Sequence, residues 1–169
     1  MVDPLVVGGC VATVALLACS AFFSSSETAI FSLPTDHDAV PGDDDPSERT
    51  LTALREDPHR LLVTLLVGNN VVNVAISSII TVLVARSLPP GPAVLAATVV
   101  TSSLVLVFGE IVPKAYGLGN APEWSLTVAP AVALVERFLS PLISLFDWVT
   151  RGINRVIEGE SDIERPYLE

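Results

Sequence analysis

Phe108-Gly109-Glu110-Ile111-Val112-Pro113-Lys114 closes an apolar run that reaches back to Ala93 without a charged residue. Such a run reads as a helix able to cross a bilayer. A carboxylate, a proline and a lysine then follow within little more than one helical turn. A charged side chain at the centre of a membrane helix costs roughly 2.5–3.5 kcal/mol on insertion scales, so these groups face a protein interior or a wet cavity. Pro113 has no backbone N–H, so in an α-helix the Gly109 carbonyl loses its i+4 donor, and Gly109 has no side chain to cover that oxygen. The segment thus offers a carboxylate and a free carbonyl side by side, the oxygen ligands that hard cations take.

The composition agrees with a membrane setting. The 169 residues are 50% hydrophobic but only 6% aromatic, with a mean hydropathy of +0.59, a combination soluble domains rarely show. The formal net charge of −10 excludes the basic footprint of a nucleic-acid binder and a polybasic lipid-surface module. Cys10 and Cys19 lie in the first apolar run without metal-type spacing and read as buried, inert thiols.

Upstream, the pattern predicts two further spans. Leu5 to Phe23 carries no charge, and its acidic Met-Val-Asp-Pro start is unlike the basic start of a secretory signal. The first span is expected over about 4–33, ending at Pro34, with Ser20, Ser24 and Glu27 on one face. Residues 34–58 are acidic and broken by prolines. They read as a solvated cytoplasmic loop with a short helix from Ser47 to Arg55, Ser47 acting as N-cap. The second span, about 59–87, carries Asn69, Asn73 and Ser77 on one face, with Asn70 to the side and Gly68 allowing close helix approach. These amides read either as hydrogen-bonding glue between helices or as ligands.

Downstream of the opening segment, the third span (about 92–117) ends in the breakers Gly117-Leu118-Gly119-Asn120-Ala121-Pro122. Residues from Trp124 to Trp148 are apolar enough to span. However, Glu136 and Arg137 sit at their centre, Pro130 and Pro141 interrupt them, and the two tryptophans flank them as interfacial anchors. The expectation is a kinked juxtamembrane interfacial helix over about 122–150, then the start of a linker at 157–169. The fold class is therefore an all-α membrane protein with three transmembrane helices plus that interfacial helix. Arg49, Arg55 and Arg60 precede or open the second span, while Lys114, Arg137, Arg151, Arg155 and Arg165 follow the third. Three spans put both groups on one side, the cytoplasm, with the N-terminus outside and the C-terminus inside.

Counted from their cytoplasmic ends, Ser24 and Glu27, Asn69 and Asn73, and Glu110 with the Gly109 carbonyl lie at similar depth. They offer oxygens only, which disfavours zinc, copper and iron. Two carboxylates balance a divalent charge, and Mg2+ fits the donor types; Ca2+, Mn2+ and Na+ fit them too. Each residue also has a plain structural reading. Glu110 and Lys114 at i, i+4 would make a helix ion pair, Glu27 would reach headgroups, Ser24 would bond its own i−4 carbonyl, and Lys114 would snorkel.

Phe-Phe-Ser-Ser-Ser-Glu-Thr-Ala (22–29), Leu-Val-Gly-Asn-Asn-Val-Val-Asn (66–73) and Phe-Gly-Glu-Ile-Val-Pro-Lys (108–114) resemble the signature segments of the CNNM/CorC magnesium transporters. The resemblance covers about 4–156, so 1–156 reads as a domain of that kind. It implies a three-span homodimeric domain in the cell membrane with an inward-facing Mg2+ site. By motif position, that site falls on Ser24, Asn69, Asn73 and Glu110, with Glu27 beside them and Gly117 a further backbone candidate. It also implies Mg2+ export, with Na+ as the coupling ion, by alternating access. Family members usually continue into paired nucleotide-binding CBS modules; this chain ends before them, as a fragment or a short member would. The rival readings are an Mg2+-sensing regulatory module that moves no ion, and a channel. An intramembrane enzyme is disfavoured, because the interiors of the spans carry no histidine, activated nucleophile or catalytic aspartate pair; His37 and His59, at the loop and the membrane edge, read as solvated.

Overall fold

The computed structural model describes residues 3–34 and 45–161, with side chains as far as Leu145. Among the described residues the secondary structure is entirely helical. Helix α1 runs Pro4–Ser32, α2 Pro46–Glu56, α3 Pro58–Ala85 and α4 Pro90–Leu104. A π-helical turn, Val105–Ile111, joins α4 to α5, Val112–Gly119, and α6 runs Ala121–Ser161. Residues 35–44 of the acidic loop, His37 among them, lie outside the described residues.

Three helices start by the same device. Asp3, Asp45 and Asp57 each precede a proline, and each carboxylate accepts a backbone N–H of the first turn: Leu5 at 2.9 Å, Ser47 at 2.9 Å and Arg60 at 3.0 Å. Proline suits the first helical position because its missing N–H would be unpaired there anyway, and aspartate is a strong N-cap. Ser47, expected as the cap of the short helix, instead lies inside α2 and donates to the cap. At the other end of α1, Pro34 holds Leu33 extended (φ −68°, ψ 139°). Arg55 of α2 donates to the Pro34 carbonyl at 2.7 Å.

Helices α1 and α3 are antiparallel along their length. Gly9 lies against Leu83 and Gly68 under the Phe23 ring. Ser20 meets Asn73, and Asp3 pairs with Arg86 at the end where α1 begins. Gly9 and Gly68 are therefore points of close approach: a β-carbon would come within 2.9 Å of Leu83 and 2.6 Å of Phe23 respectively. The chain from α4 through α5 runs parallel to α1. Ala97 packs with Ile76 and Ile80 of α3, while Gly109 and Gly117 lie against Ser20 and Ser25. A second core of Ile30, Leu51, Leu54, Leu61, Leu65, Val128, Ala129 and Val132 gathers α1, α2, α3 and α6 at the opposite end from the Asp3–Arg86 pair.

Outward-facing side chains such as Val11, Val14, Val74 and Leu95 are apolar and exposed, as lipid contact requires. Cys10 and Cys19 belong to this outer face, contrary to the expectation of burial, because α1 turns only its Ser20–Ser24 side inward. Four helical stretches are long and apolar enough to cross a membrane: Pro4–Ser32, Pro58–Ala85, Pro90–Gly119 and Ala121–Leu145, with mean hydropathies of 2.3, 1.7, 2.0 and 1.5. The chain is a multi-pass helical membrane protein. The expected count of three set the last stretch aside for its central Glu136 and Arg137, yet its length and composition match the others. Glu136 is tied to Arg60, and the same guanidinium reaches Ser140 at 3.1 Å. Trp124 is half-buried beside the second core and meets Tyr116 edge-on at 5.3 Å; the side chain of Trp148 lies outside the described residues.

Candidate cation site

The polar stripes of the three inner segments meet at Ser20. This residue is fully buried on α1, and its hydroxyl lies 2.8 Å from Asn73 Oδ1 and 3.0 Å from Asn69 Oδ1, one turn apart on α3. Gly109 closes the third side: a β-carbon there would fall 2.6 Å from Ser20 Oγ. Glycine is the residue that leaves the serine its place.

A hydroxyl has one proton to donate. Two amide oxygens share it here, so three oxygen atoms converge around a single hydrogen. Ser24, one turn further along α1, is also fully buried, and its hydroxyl has no hydrogen-bond partner among the described residues. An unpaired buried hydroxyl is unfavourable by about 1–3 kcal/mol. Glu110, next to Gly109, is half-buried, and among the described residues no ion pair or hydrogen bond engages its carboxylate. The Ser20 hydroxyl is thus gathered with two amide oxygens, and beside it stand an unpartnered hydroxyl and an unpaired carboxylate, oxygens of the kind a hard cation takes as ligands.

The backbone around Glu110 is the π turn. Its closing bond runs from the Val112 N–H to the Val107 carbonyl, five residues back. A π turn adds one residue to the helical circuit and recurs at functional sites. It stands directly before buried Pro113, whose missing N–H already breaks the α pattern.

The remaining sequence candidates lie further along. Lys114 pairs with Glu27 of α1 at 3.3 Å, so the ion pair expected within the Glu110 helix forms across helices instead. Gly117 is a packing residue: a β-carbon would sit 2.3 Å from the Ser25 carbonyl oxygen, so its absence lets α5 lie directly on α1. Asn70 faces outward and donates to its own Leu66 carbonyl at 2.8 Å, and Ser77 is exposed. Ser20 itself is the residue that sequence reasoning left out of the ligand set. Its signal was present as the first member of the Ser20, Ser24, Glu27 stripe. The pairing of α1 with α3 places it, and not Ser24, opposite the asparagines.

Among the described residues no three His, Cys, Asp or Glu side chains converge as metal ligands do. The donors at Ser20 are hydroxyl and amide oxygens with one carboxylate nearby, a hard set.

Fold and site together define an intramembrane helical domain with a buried, oxygen-lined polar site. The chain belongs to the cyclin M transmembrane N-terminal domain family, whose pattern it matches over residues 11–169. It is 32% identical over 153 residues to a chloroplastic DUF21 domain-containing protein of Arabidopsis thaliana, covering 90% of this chain and 23% of that protein. It is 31% identical over 147 residues to the UPF0053 inner membrane protein YfjD of Escherichia coli, covering 85% of this chain and 34% of YfjD. A UPF0053 protein of Haemophilus influenzae is 28% identical over 153 residues, 36% of its length. The chain therefore spans roughly a quarter to a third of these relatives.

Proposed function

We propose that this domain moves Mg2+ across the cell membrane as a homodimer, exporting it in exchange for Na+ by alternating access. The observation that carries the reading is the cluster of oxygens at Ser20, Asn69 and Asn73, with the unpaired Ser24 hydroxyl and the uncompensated Glu110 carboxylate beside it. Mg2+ prefers about six oxygens and surrenders water reluctantly. On this reading Asn69, Asn73, Ser20, Ser24, Glu110 and the Gly109 carbonyl replace part of its hydration shell. Glu27 and Gly117 stand on the approach, because Lys114 occupies the first and Ser25 covers the second.

The three-span arrangement belongs to the same proposal. Glu136 and Ser140 of α6 face Arg60. Leu134, Val135, Phe138 and Leu139 line an apolar hollow of about 430 Å³ with Phe23, Gly68, Val71 and Val72. Arg60 and Val72 lie roughly 18 Å apart along α3 at 1.5 Å per residue. One short stretch of α6 thus touches α3 at two depths, which supports α6 crossing α3 at the membrane surface, polar side toward water. The N-terminus is then outside and the C-terminus cytoplasmic.

The test is Mg2+ flux in proteoliposomes of wild type, Glu110→Ala and Asn73→Ala, with Na+ varied on each side. Saturable flux lost in both variants, and dependent on the Na+ gradient, is expected. Intact Mg2+ binding without flux in wild type would favour a sensor, and equal flux in all three would place the path elsewhere.

A further inference from the structure

Lys114 is the chain's single lysine; the other basic side chains among its nine cationic residues are arginines. The two side chains bind carboxylates differently. Arginine holds them with a rigid planar fork, whereas lysine offers a compact ammonium on a flexible four-carbon stem. Elsewhere the fold uses arginine for fixed ties, Arg60 to Glu136 and Ser140, and Arg55 to the end of α1. At the approach to the polar site it uses lysine. Lys114 lies 3.3 Å from Glu27, with the two side chains 43% and 33% exposed, so neither partner is locked inside the bundle. Lys114 also stands four residues after Glu110 along the chain, just past the π turn that holds that carboxylate.

The cation site has a matching need. A divalent ion facing two free carboxylates, two amide oxygens and two hydroxyls would be held tightly, yet conduction needs binding weak enough to permit release. Resting on the site proposed above, we infer that Lys114 is a tethered competitor for the ion: its ammonium occupies Glu27 and withholds that carboxylate from the incoming cation. The ion then meets Glu110 as its one uncompensated carboxylate. The tether sets the affinity of the approach without being a ligand itself, and lysine is the residue for it because an ammonium yields its partner more readily than a guanidinium.

Isothermal titration of the purified protein in detergent with MgCl2 tests this. Lys114→Met is expected to tighten Mg2+ binding about five- to tenfold, the effect of one released neighbouring charge, and to slow flux by delaying release. Lys114→Arg keeps the ion pair and should weaken binding, an effect that a merely structural salt bridge would not show. The tightening in Lys114→Met should vanish when Glu27→Gln is added. Unchanged or weaker binding in Lys114→Met, or tightening that persists in the double variant, would overturn the inference. Glu110→Ala separates the two readings. If it binds Mg2+ as well as wild type does, or if wild type binds none, the cation site itself is wrong. If it alone loses binding while Lys114→Met is unchanged, only the role of the lysine falls.

Discussion

At the scale of residues, the site depends on what is missing as much as on what is present. Gly109 leaves room for the Ser20 hydroxyl, which in turn gathers the Asn69 and Asn73 oxygens. A methyl group at 109 would lie 2.6 Å from that oxygen, closer than packing tolerates. Overpacking of this kind costs about 1–3 kcal/mol when the surroundings must shift. Gly109→Ala should therefore displace Ser20 from the asparagines, lowering Mg2+ affinity at least tenfold while the helices persist. Titration calorimetry reads the first and far-ultraviolet circular dichroism the second. Wild-type affinity in the variant would mean that the Ser20 cluster is packing alone.

Elements show where the sequence was readable and where it was not. The apolar runs and their punctuation by Pro4, Pro34, Pro58 and Pro90 announced the long helices, because hydropathy and proline act through local physics. The asparagine stripe was legible for the same reason: Asn69 and Asn73 share a face by helical period alone, and Asn70 falls off it. The π turn was not legible. An α and a π turn of the same residues differ in one hydrogen-bond partner, and the choice here accompanies packing of Gly109 against another helix. The choice of Ser20 over Ser24 escaped for a like reason, since it follows from the antiparallel setting of α1 on α3. The start of α2 was missed for a simpler one: Ser47 looked like a cap, but Asp45-Pro46 supplies both a stronger acceptor and a preset first residue. Asp45→Ala should destabilise the protein by about 1 kcal/mol and loosen α2 from the core it forms with α6 through Leu51 and Leu54. Hydrogen exchange of the α2 amides checks this, and unchanged protection would show that packing alone holds the helix.

For the whole molecule, the open topological question turns on which sides of the membrane Asn120 and Ser144 face. Asn120, just before α6, and Ser144, within it, are both exposed, and the intervening helix is roughly 36 Å long at 1.5 Å per residue, enough to cross a hydrocarbon core of about 30 Å. If α6 lies across α3 at the surface, both positions face the compartment that holds Glu56 at the end of α2. If it spans, Ser144 shares the side of Ser87, which follows the C-terminal end of α3. The native thiols Cys10 and Cys19 sit on the outer face of α1 and must first be replaced by alanine. Single cysteines at Glu56, Ser87, Asn120 and Ser144 can then be labelled with a membrane-impermeant maleimide in right-side-out and inverted vesicles. The tie of Glu136 and Ser140 to Arg60 argues for the surface arrangement, because it keeps the charged middle of α6 at the end of α3 where Asp57 caps the helix. Labelling of Asn120→Cys and Ser144→Cys from the side of Glu56→Cys is therefore expected, with Ser87→Cys labelled from the other. Labelling of Ser144→Cys together with Ser87→Cys would make α6 a fourth span, carry the C-terminal arginines to the side of Ser87, and weaken the arginine bias on which the inward-facing site rests.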